Sequence, residues 1–245
     1  MLERPPTESL PIPTDAGLVV HLLGAPVVRW SGDTVDIARR QVRALLYRLA
    51  ASQDSIPREQ LCFLFWPDIP ETDARRKLTG LLAHLRRSLP ESDLVIAADD
   101  HVGLAPVRTG SDLGAFKRLI SSQAGVQAPE TLRRAVDLYR GPFLDGFSLP
   151  ENPEYETWVT VERQICERAY LESLETLVEE FTGRGDYAAA INYGQRYLEA
   201  DELAEGIHRR LIQLYTATGA RSAAIQQFQR CTAVLDRVLD VEPLT

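Results

Sequence analysis

The stretch DARRKLTGLLAHLRRSL, residues 73–89, decides the fold assignment because it combines a leucine seam with five of the chain's lysines and arginines. At the 100° spacing of an α-helix, its leucines fall within one sector of about 100°. These residues are Leu78, Leu81, Leu82, Leu85 and Leu89. The pattern therefore predicts a helix from about Asp73 to Leu89 that packs on a small core through its leucines.

The face of this helix opposite the leucines combines cations with residues that have almost no side-chain bulk. Arg76, Lys77, His84 and Arg87 surround Gly80 and Ala83. A backbone bared in this way can approach another surface closely, and the major groove of B-DNA admits one α-helix. Cations on such a helix meet phosphates and base edges. The sequence thus predicts that these six residues form a DNA-binding face, with a solvated charged face as the alternative interpretation.

Other arginines around this helix are candidates for contacts with DNA phosphates, which position a protein without reading the base sequence. Two of them flank the leucine seam, and four lie near the starts of the two preceding helices. The candidates are Arg75 and Arg86 on the seam helix, and Arg39, Arg40, Arg43 and Arg58 before it. For the last four, the alternative is that they only keep the surface soluble.

The elements around the cationic helix follow the order of a winged helix-turn-helix. Three β-favouring runs over residues 18–23, 27–30 and 34–37 come first, and helical periodicity follows over 40–51 and from about 57. Two short β-runs at 94–97 and 102–104 then predict a hairpin, or wing. In such a fold the third helix enters the major groove and the wing contacts the backbone or the minor groove. We therefore expect a winged-helix DNA-binding domain over 18–108, preceded by a flexible proline-rich tail over 1–17.

From about residue 109 onward, the chain shows only helical periodicity. The predicted helices span residues 112–120, 129–139, 155–184, 187–200, 203–218 and 221–239. Five positions recur with an offset of 34 residues, since Leu177, Phe181, Gly185, Ala190 and Ile191 return as Leu211, Tyr215, Gly219, Ala224 and Ile225. That period is typical of tetratricopeptide (TPR) helix pairs. The predicted fold class is an α+β winged helix-turn-helix followed by an all-α TPR-like helical repeat domain over 109–245, mainly α overall.

Most of the chain's excess of acidic over basic residues lies in this second half. The net charge of the whole chain is −8, but residues 1–110 hold 13 Lys and Arg against 14 Asp and Glu, whereas residues 111–245 hold 14 against 21. Charge matters by location rather than by total, so this segregation fits a DNA-reading part joined to an acidic part.

The sequence also predicts a compartment. The cysteines Cys62, Cys166 and Cys231 are far apart among apolar neighbours, which suits buried thiols in a reducing environment without disulfides. No signal core or membrane-spanning run is present in the sequence. We expect a cytoplasmic protein that does not associate with membranes.

The sequence offers no group of residues with catalytic or metal-binding spacing. The four histidines lie in separate predicted elements, and no glycine-rich phosphate loop follows a strand. Paired acids such as Asp99-Asp100 are neighbours on exposed elements, where solvation explains them better than acid-base catalysis. We expect no catalytic site, no metal and no cofactor, and hence a protein that is not an enzyme.

Several short motifs together resemble those of a known family. In the first half these are Arg58-Glu59-Gln60-Leu61, Phe65-Trp66-Pro67-Asp68, Ala74-Arg75-Arg76-Lys77-Leu78 and Leu85-Arg86-Arg87-Ser88-Leu89. In the second half they are Leu138-Tyr139-Arg140-Gly141-Pro142-Phe143-Leu144, the segment 158–162, Gly185-Asp186-Tyr187, His208-Arg209 and Leu239-Asp240-Val241-Glu242-Pro243. The chain resembles bacterial transcriptional activators of the antibiotic-regulatory (SARP-like) type, which join an OmpR/PhoB-type winged helix to a bacterial transcriptional activator domain.

This resemblance implies an activator that binds double-stranded promoter DNA in a sequence-specific manner, often as a homodimer on direct repeats. It also implies that the helical domain serves oligomerisation and contact with RNA polymerase or other transcription machinery. The chain departs from relatives at His84, where they usually have arginine, and at Asp201-Glu202-Leu203, where they often have Asp-Pro-Leu. Family members also commonly continue beyond Pro243, so a longer regulator is a further expectation.

The rival hypothesis is a TPR-like signalling module that binds a protein or a small ligand and whose winged helix does not bind DNA. Two features favour it, namely the net charge of −7 in residues 111–245 and the replacement of a cation at His84.

Overall fold

The computed structural model describes residues 17–98, 100–121 and 129–239. Within them the chain forms two compact units, one made of the described residues up to 121 together with 138–166, the other of 129–137 together with 167–239. This division does not follow the predicted boundary between residues 108 and 109, and the domain limits given above stay predictions. The tail predicted over 1–17 lies, except for Gly17, outside the described residues.

The elements alternate between short strands and helices at first and are helical from residue 112 onward. In chain order they are β1 (Leu18–His21), β2 (Val27–Trp30), β3 (Asp33–Thr34), α1 (Arg40–Ala51), β4 (Ile56–Pro57), α2 (Arg58–Phe65), α3 (Glu71–Ser88), β5 (Val95–Ala98), β6 (His101–Leu104), β7 (Thr109–Ser111), α4 (Asp112–Ser121), α5 (Pro129–Leu138), α6 (Pro153–Gly183), α7 (Tyr187–Ala200), α8 (Glu205–Ala217) and α9 (Arg221–Leu239). The predicted fold class, a winged helix followed by a helical repeat region, is confirmed.

The first sheet opens the first unit with the strand order β3-β2-β1-β7. β1 pairs antiparallel with β2 and parallel with β7, and β2 pairs antiparallel with β3. The predicted third strand was placed too late, over 34–37, because the chain leaves the sheet after the Val35 N–H bonds the Val28 carbonyl at 2.9 Å and then buries Ile37. β7 was not predicted, since its partner β1 lies about ninety residues earlier in the chain.

The helix-turn-helix and its wing also belong to the first unit. All five leucines of the predicted seam are buried, with 7% exposure at most, as is Ala74 on the same face of α3. The hairpin of β5 and β6 is confirmed, and β4 extends it into a three-stranded sheet by pairing Ile56 with Val102. The wing is therefore bonded to the segment that leads directly into α2.

A buried carboxylate at the start of α4 joins distant parts of the first unit. Asp112 accepts hydrogen bonds from the backbone N–H groups of Leu22 at 2.7 Å and Leu23 at 3.3 Å, and from Arg140 Nη2 at 2.7 Å. His21 Nδ1 lies 3.5 Å from Asp112 Oδ2. These contacts tie the end of β1 and the segment after α5 to the first turn of α4.

The segment between α5 and α6 belongs to the first unit and is bonded to the residues that follow β1. Leu23 and Phe143 form an isolated antiparallel bridge, and the Leu144 N–H donates to the Leu22 carbonyl at 2.8 Å. Asn152 then caps α6 by accepting the Tyr155 N–H at 3.0 Å, with proline at the first helical position. This cap makes α6 begin at Pro153, two residues earlier than predicted, because asparagine followed by proline is a favourable helix start.

The second unit contains the 34-residue repeat. Leu177 and Leu211 are fully buried at equivalent positions, and Gly185 and Gly219 both have a positive φ, of 77° and 75°. After each glycine, the next N–H bonds the carbonyl five residues earlier, Asp186 to Phe181 at 2.9 Å and Ala220 to Tyr215 at 2.8 Å. These hydrogen bonds are those of the Schellman motif that ends a helix on glycine. The repeat found in the sequence is therefore a repeat of backbone geometry.

Helix packing in this unit is close at one position in particular. A Cβ on Gly194 of α7 would lie 2.8 Å from Leu211 Cδ2 of α8, so any larger residue at this position would force the buried Leu211 side chain to shift. The part of α5 that belongs to this unit is held on α7 by Arg196, which donates to the Val136 carbonyl at 2.8 Å and to Asp137 Oδ1 at 3.0 Å. α5 thus supplies a layer beside the two obvious repeats. No helix in the described part of the chain is long and apolar enough to cross a membrane.

We expect Asp112→Asn to lower the free energy of unfolding at pH 7 by about 2–4 kcal/mol, because a neutral amide cannot replace the acceptor of several buried donors. Burial alone would raise the pKa of the Asp112 carboxyl, but His21, the two backbone N–H groups and Arg140 hold it below the ordinary value of 3.8. The unfolded state therefore binds this proton more readily. The contribution is present above about pH 4 and is lost as the pH falls through the folded-state pKa.

Urea unfolding of both proteins, at pH 7 and then from about pH 5 to pH 3, measures this effect. The Asn variant should lack the component of acid destabilisation that comes from Asp112. The matched control is Asp137→Asn, since Asp137 is also paired with an arginine but its side chain is 68% exposed, and little change is expected there. Equal losses in the two variants would contradict the role given to Asp112.

Candidate nucleic-acid interface

The outward face of α3 carries the residues that the sequence predicted. Arg76, Lys77, Gly80, Ala83 and Arg87 are exposed. His84, the sixth residue of the predicted face, is half-buried. The structure thus brings these residues together on one side of a helix whose opposite side is buried in the core.

Gly80 leaves an open strip at the centre of this face. A Cβ built on Gly80 would meet no heavy atom within 4 Å among the described residues. The core of this unit therefore does not require glycine at position 80, unlike Gly194, where a neighbouring leucine blocks a side chain. What the glycine provides is a bare backbone that another molecule can approach.

Arg76 is highly exposed and forms an ion pair within its own helix. Its side chain is 82% exposed, and Nη2 lies 2.9 Å from Asp73 Oδ1 in the preceding turn. An exposed ion pair of this kind contributes little to stability, with a median of about 0–1 kcal/mol. A phosphate or a base edge can therefore compete for this guanidinium at small cost.

Arg87 is oriented by its own helix. Its Nε donates to the Ala83 carbonyl at 3.2 Å, and Nη2 lies 2.7 Å from His84 Nδ1. Because a guanidinium has only donors, Nδ1 must be the acceptor, which makes His84 the neutral tautomer with its proton on Nε2. Burial, Arg39 and Arg87 all lower the pKa of His84 below 6.5, in agreement with a neutral ring at pH 7.

The arginines of α1 divide into two groups. Arg39 and Arg40 are exposed at the start of α1, and Arg39 is close enough to lower the pKa of His84, so the structure brings it to the α3 face. Arg43 is half-buried, and its guanidinium carbon lies 5.7 Å from the centre of the Phe147 ring. Its Nε is buried and has no hydrogen-bond partner among the described residues. Arg43 therefore packs within its own unit.

Arg58, Arg75 and Arg86 lie beside the wing. Arg58 is half-buried at the first position of α2, and its N–H donates to the Asp100 carbonyl at 2.7 Å. Arg75 is bonded to the carboxylates of Glu71 and Asp100, and Arg86 Nη2 donates to the Val95 carbonyl of β5 at 3.2 Å. The guanidinium groups of Arg75 and Arg86 are therefore engaged within the unit, on the flank of the cationic face, whereas Arg58 is held there through its backbone.

Asp100 is a residue that the sequence reasoning took for a solvated acid. Its carboxylate lies in the wing turn and pairs with Arg75, and this arginine holds the pKa of Asp100 below its usual value. The two residues are 25 positions apart, so no helical or hairpin spacing predicts their contact. The only signal in the sequence was an acid at a predicted hairpin turn close to an arginine-rich helix.

The described residues show no arrangement suited to a metal ion. No group of three or more His, Cys, Asp or Glu side chains that could hold one occurs in residues 17–98, 100–121 and 129–239. The polar groups gathered on α3 are instead donors, which suit the acceptors of phosphates and base edges.

Comparisons with known proteins relate this geometry to a fold. The chain is similar to the structure of Mycobacterium tuberculosis EmbR in complex with a low-affinity phosphopeptide, with 21% sequence identity and a TM-score of 0.62. The match covers 93% of this chain and 62% of that chain, so this chain spans less than two thirds of its length. At that identity the likeness shows the fold. No curated protein matches the chain in sequence.

The second half of the chain matches a family model. Residues 112–245, more than half of the chain, match the model of the bacterial transcriptional activator domain. The resemblance to SARP-like activators that the sequence motifs indicated is confirmed by this match together with the fold. The chain belongs to the bacterial transcriptional activator domain family, a family of transcriptional regulators and not of enzymes.

Proposed function

We propose that this regulator binds promoter DNA in a sequence-specific manner by inserting α3 into the major groove. The observation that carries the proposal is the outward face of α3, where exposed cations surround an open strip at Gly80. The winged-helix fold supports it, because in that fold the third helix is the one that lies in the groove.

Each residue of the face has a proposed role. Arg76 and Arg87, at the centre of the face, contact bases or groove edges, with Lys77 and His84 beside them, while Gly80 and Ala83 allow the close approach. Arg39 and Arg40, exposed at the start of α1, contact phosphates. Arg43 and Arg58 stay candidates for phosphate contacts, although both are half-buried. The wing lies at the backbone or the minor groove.

For the helical residues of 109–245 we propose oligomerisation and contact with the transcription machinery. Stacked helix pairs provide an extended surface for partners, and the acidic balance of this half keeps it from competing for the DNA backbone. The rival function, a module that binds protein or ligand without DNA, is favoured by the same acidity. A DNA-binding experiment therefore has to separate the two.

Selection of bound sequences from a random pool of duplex DNA tests the proposed function directly. We expect enrichment of one motif, and two copies in direct repeat if the protein binds as a dimer. Titration on the enriched site should then show affinity that falls steeply with salt, because each neutralised phosphate contributes about −0.9 to the slope of log K against log salt concentration. If no motif is enriched and weak binding is independent of sequence, the rival function is the better one.

Replacing Arg76 by alanine should weaken binding to the selected site by about 1–3 kcal/mol, because a central groove contact is lost. The matched control is Arg168→Ala. Arg168 is also 82% exposed and also paired with an acid of its own helix, Glu172, at 2.8 Å. Gel-shift titration of both variants measures the difference. If Arg76→Ala binds as tightly as Arg168→Ala, Arg76 does not belong to the contact set.

Replacing Gly80 by glutamine should abolish specific binding while leaving the fold intact. A Cβ at this position meets no heavy atom within 4 Å among the described residues, so the added side chain starts into open space and obstructs a molecule that approaches the face. Gly206→Gln is the control, since Gly206 is also exposed in a helix, in α8, with no heavy atom within 4 Å of a Cβ. Circular dichroism and melting verify that both variants fold. Normal DNA affinity of Gly80→Gln would disprove the close approach.

A further inference from the structure

Asp100 lies where the wing meets both helices of the helix-turn-helix. It lies in the turn of the hairpin, between Ala98 and His101, which form the last pair of the ladder. Its backbone carbonyl accepts the N–H of Arg58, the first residue of α2, at 2.7 Å. Its carboxylate accepts two hydrogen bonds from Arg75 of α3, at 2.7 Å from Nη1 and at 3.4 Å from Nη2.

Arg75 has all three of its guanidinium nitrogens engaged. Besides the two bonds to Asp100, its Nε donates to Glu71 Oε1 at 2.8 Å. Two carboxylates thus neutralise one cation, and both raise the pKa of Arg75 above its ordinary value, Asp100 more than Glu71. A DNA phosphate would have to displace a carboxylate from a two-point contact before it could reach this guanidinium.

The neighbouring arginine shows the contrast. Arg75 is 39% exposed and joins two elements, whereas Arg76 is 82% exposed and its ion pair, with Asp73, lies within its own helix. Arg86 lies about three turns further along the same flank of α3, and it likewise reaches the wing, at the Val95 carbonyl of β5. Two arginines of α3 therefore hold the wing at both ends of its hairpin.

We propose that Arg75 is a positioning residue that fixes the wing to the recognition helix through Asp100, in place of the phosphate contact that its position in the sequence suggests. In this role it makes α3 and the wing one rigid surface, and it neutralises an acid in the wing turn that would otherwise repel DNA. The inference deepens the proposed function, because a fixed wing matters for DNA binding only if the protein binds DNA.

The planarity of guanidinium separates the two roles of Arg75. Lysine keeps the positive charge and can contact a phosphate as a point charge, but it cannot make the two-point contact with Asp100. If Arg75 positions the wing, Arg75→Lys should weaken binding to the selected DNA about threefold to tenfold, with an unchanged salt slope. Arg168→Lys, on an exposed arginine of α6 with an ion pair of its own, is the control and should bind like the wild type.

Hydrogen exchange on the free protein tests the contact without DNA. We expect Arg75→Lys and Asp100→Asn each to speed amide exchange in β5 and β6 about threefold to tenfold, while β1 and β2 keep their rates. The double variant should exchange no faster than either single variant, because both remove the same contact. Unchanged exchange in all three variants, or normal DNA affinity of Arg75→Lys, would overturn the inference. Absence of specific binding by the wild type would instead refute the proposed function and leave the exchange result to decide on the contact.

Discussion

The structure of the first unit depends on the carboxylate of Asp112. A buried charge is costly unless it is paired and hydrogen-bonded, and Asp112 is only 2% exposed with donors arriving from the end of β1 and from Arg140. The donors are separated from it by 90, 89 and 28 positions in the chain. Satisfying this one acid therefore determines how the first sheet, α4 and the segment after α5 are placed within the unit.

The outward face of α3 is not needed to hold the first unit together. The helix is held through its leucines, which are buried, and through the arginines on its flank, which reach the wing. The face between the flanks does not pack against the core, since a Cβ on Gly80 would meet no heavy atom within 4 Å among the described residues. Cations can therefore be placed there for a partner at little cost in stability, since exposed charges contribute little to it.

The features that could be predicted from the sequence are those with a local period. The leucine seam of α3 and the 34-residue repeat both appear as spacings, and both are present in the structure, the latter with equivalent Schellman bonds at Gly185 and Gly219. The cationic face of α3 followed from the same helical period. Its DNA-binding role is a proposal, because the positions of hydrogen-bond donors do not identify the molecule that they bind.

What could not be predicted arises from contacts between residues that are far apart in the chain. β7 has three residues and no pattern of its own, and it exists because β1 offers an edge for parallel pairing. The two-point contact of Arg75 with Asp100 and the contact of Arg43 with the Phe147 ring join residues far apart in the chain, and no local spacing predicts either of them. The sequence therefore predicts the arginines only as cations, whereas the structure distinguishes those that are exposed from those that contact other residues of the protein.

His84, the departure from the family pattern, has a defined place in the structure of the α3 face. An arginine at this position would stand beside Arg39 and Arg87 and would be repelled by both, whereas the neutral imidazole accepts a hydrogen bond from Arg87 at 2.7 Å. The face then has one cation fewer at pH 7, so its attraction to phosphates is weaker and less dependent on salt. In exchange, Arg87 is held at two points before any DNA arrives, and a preorganised donor loses less entropy on binding. In the proposed DNA-binding function, histidine at this position would therefore move the balance of the face from charge towards geometry, which would favour discrimination between sites over general affinity for DNA.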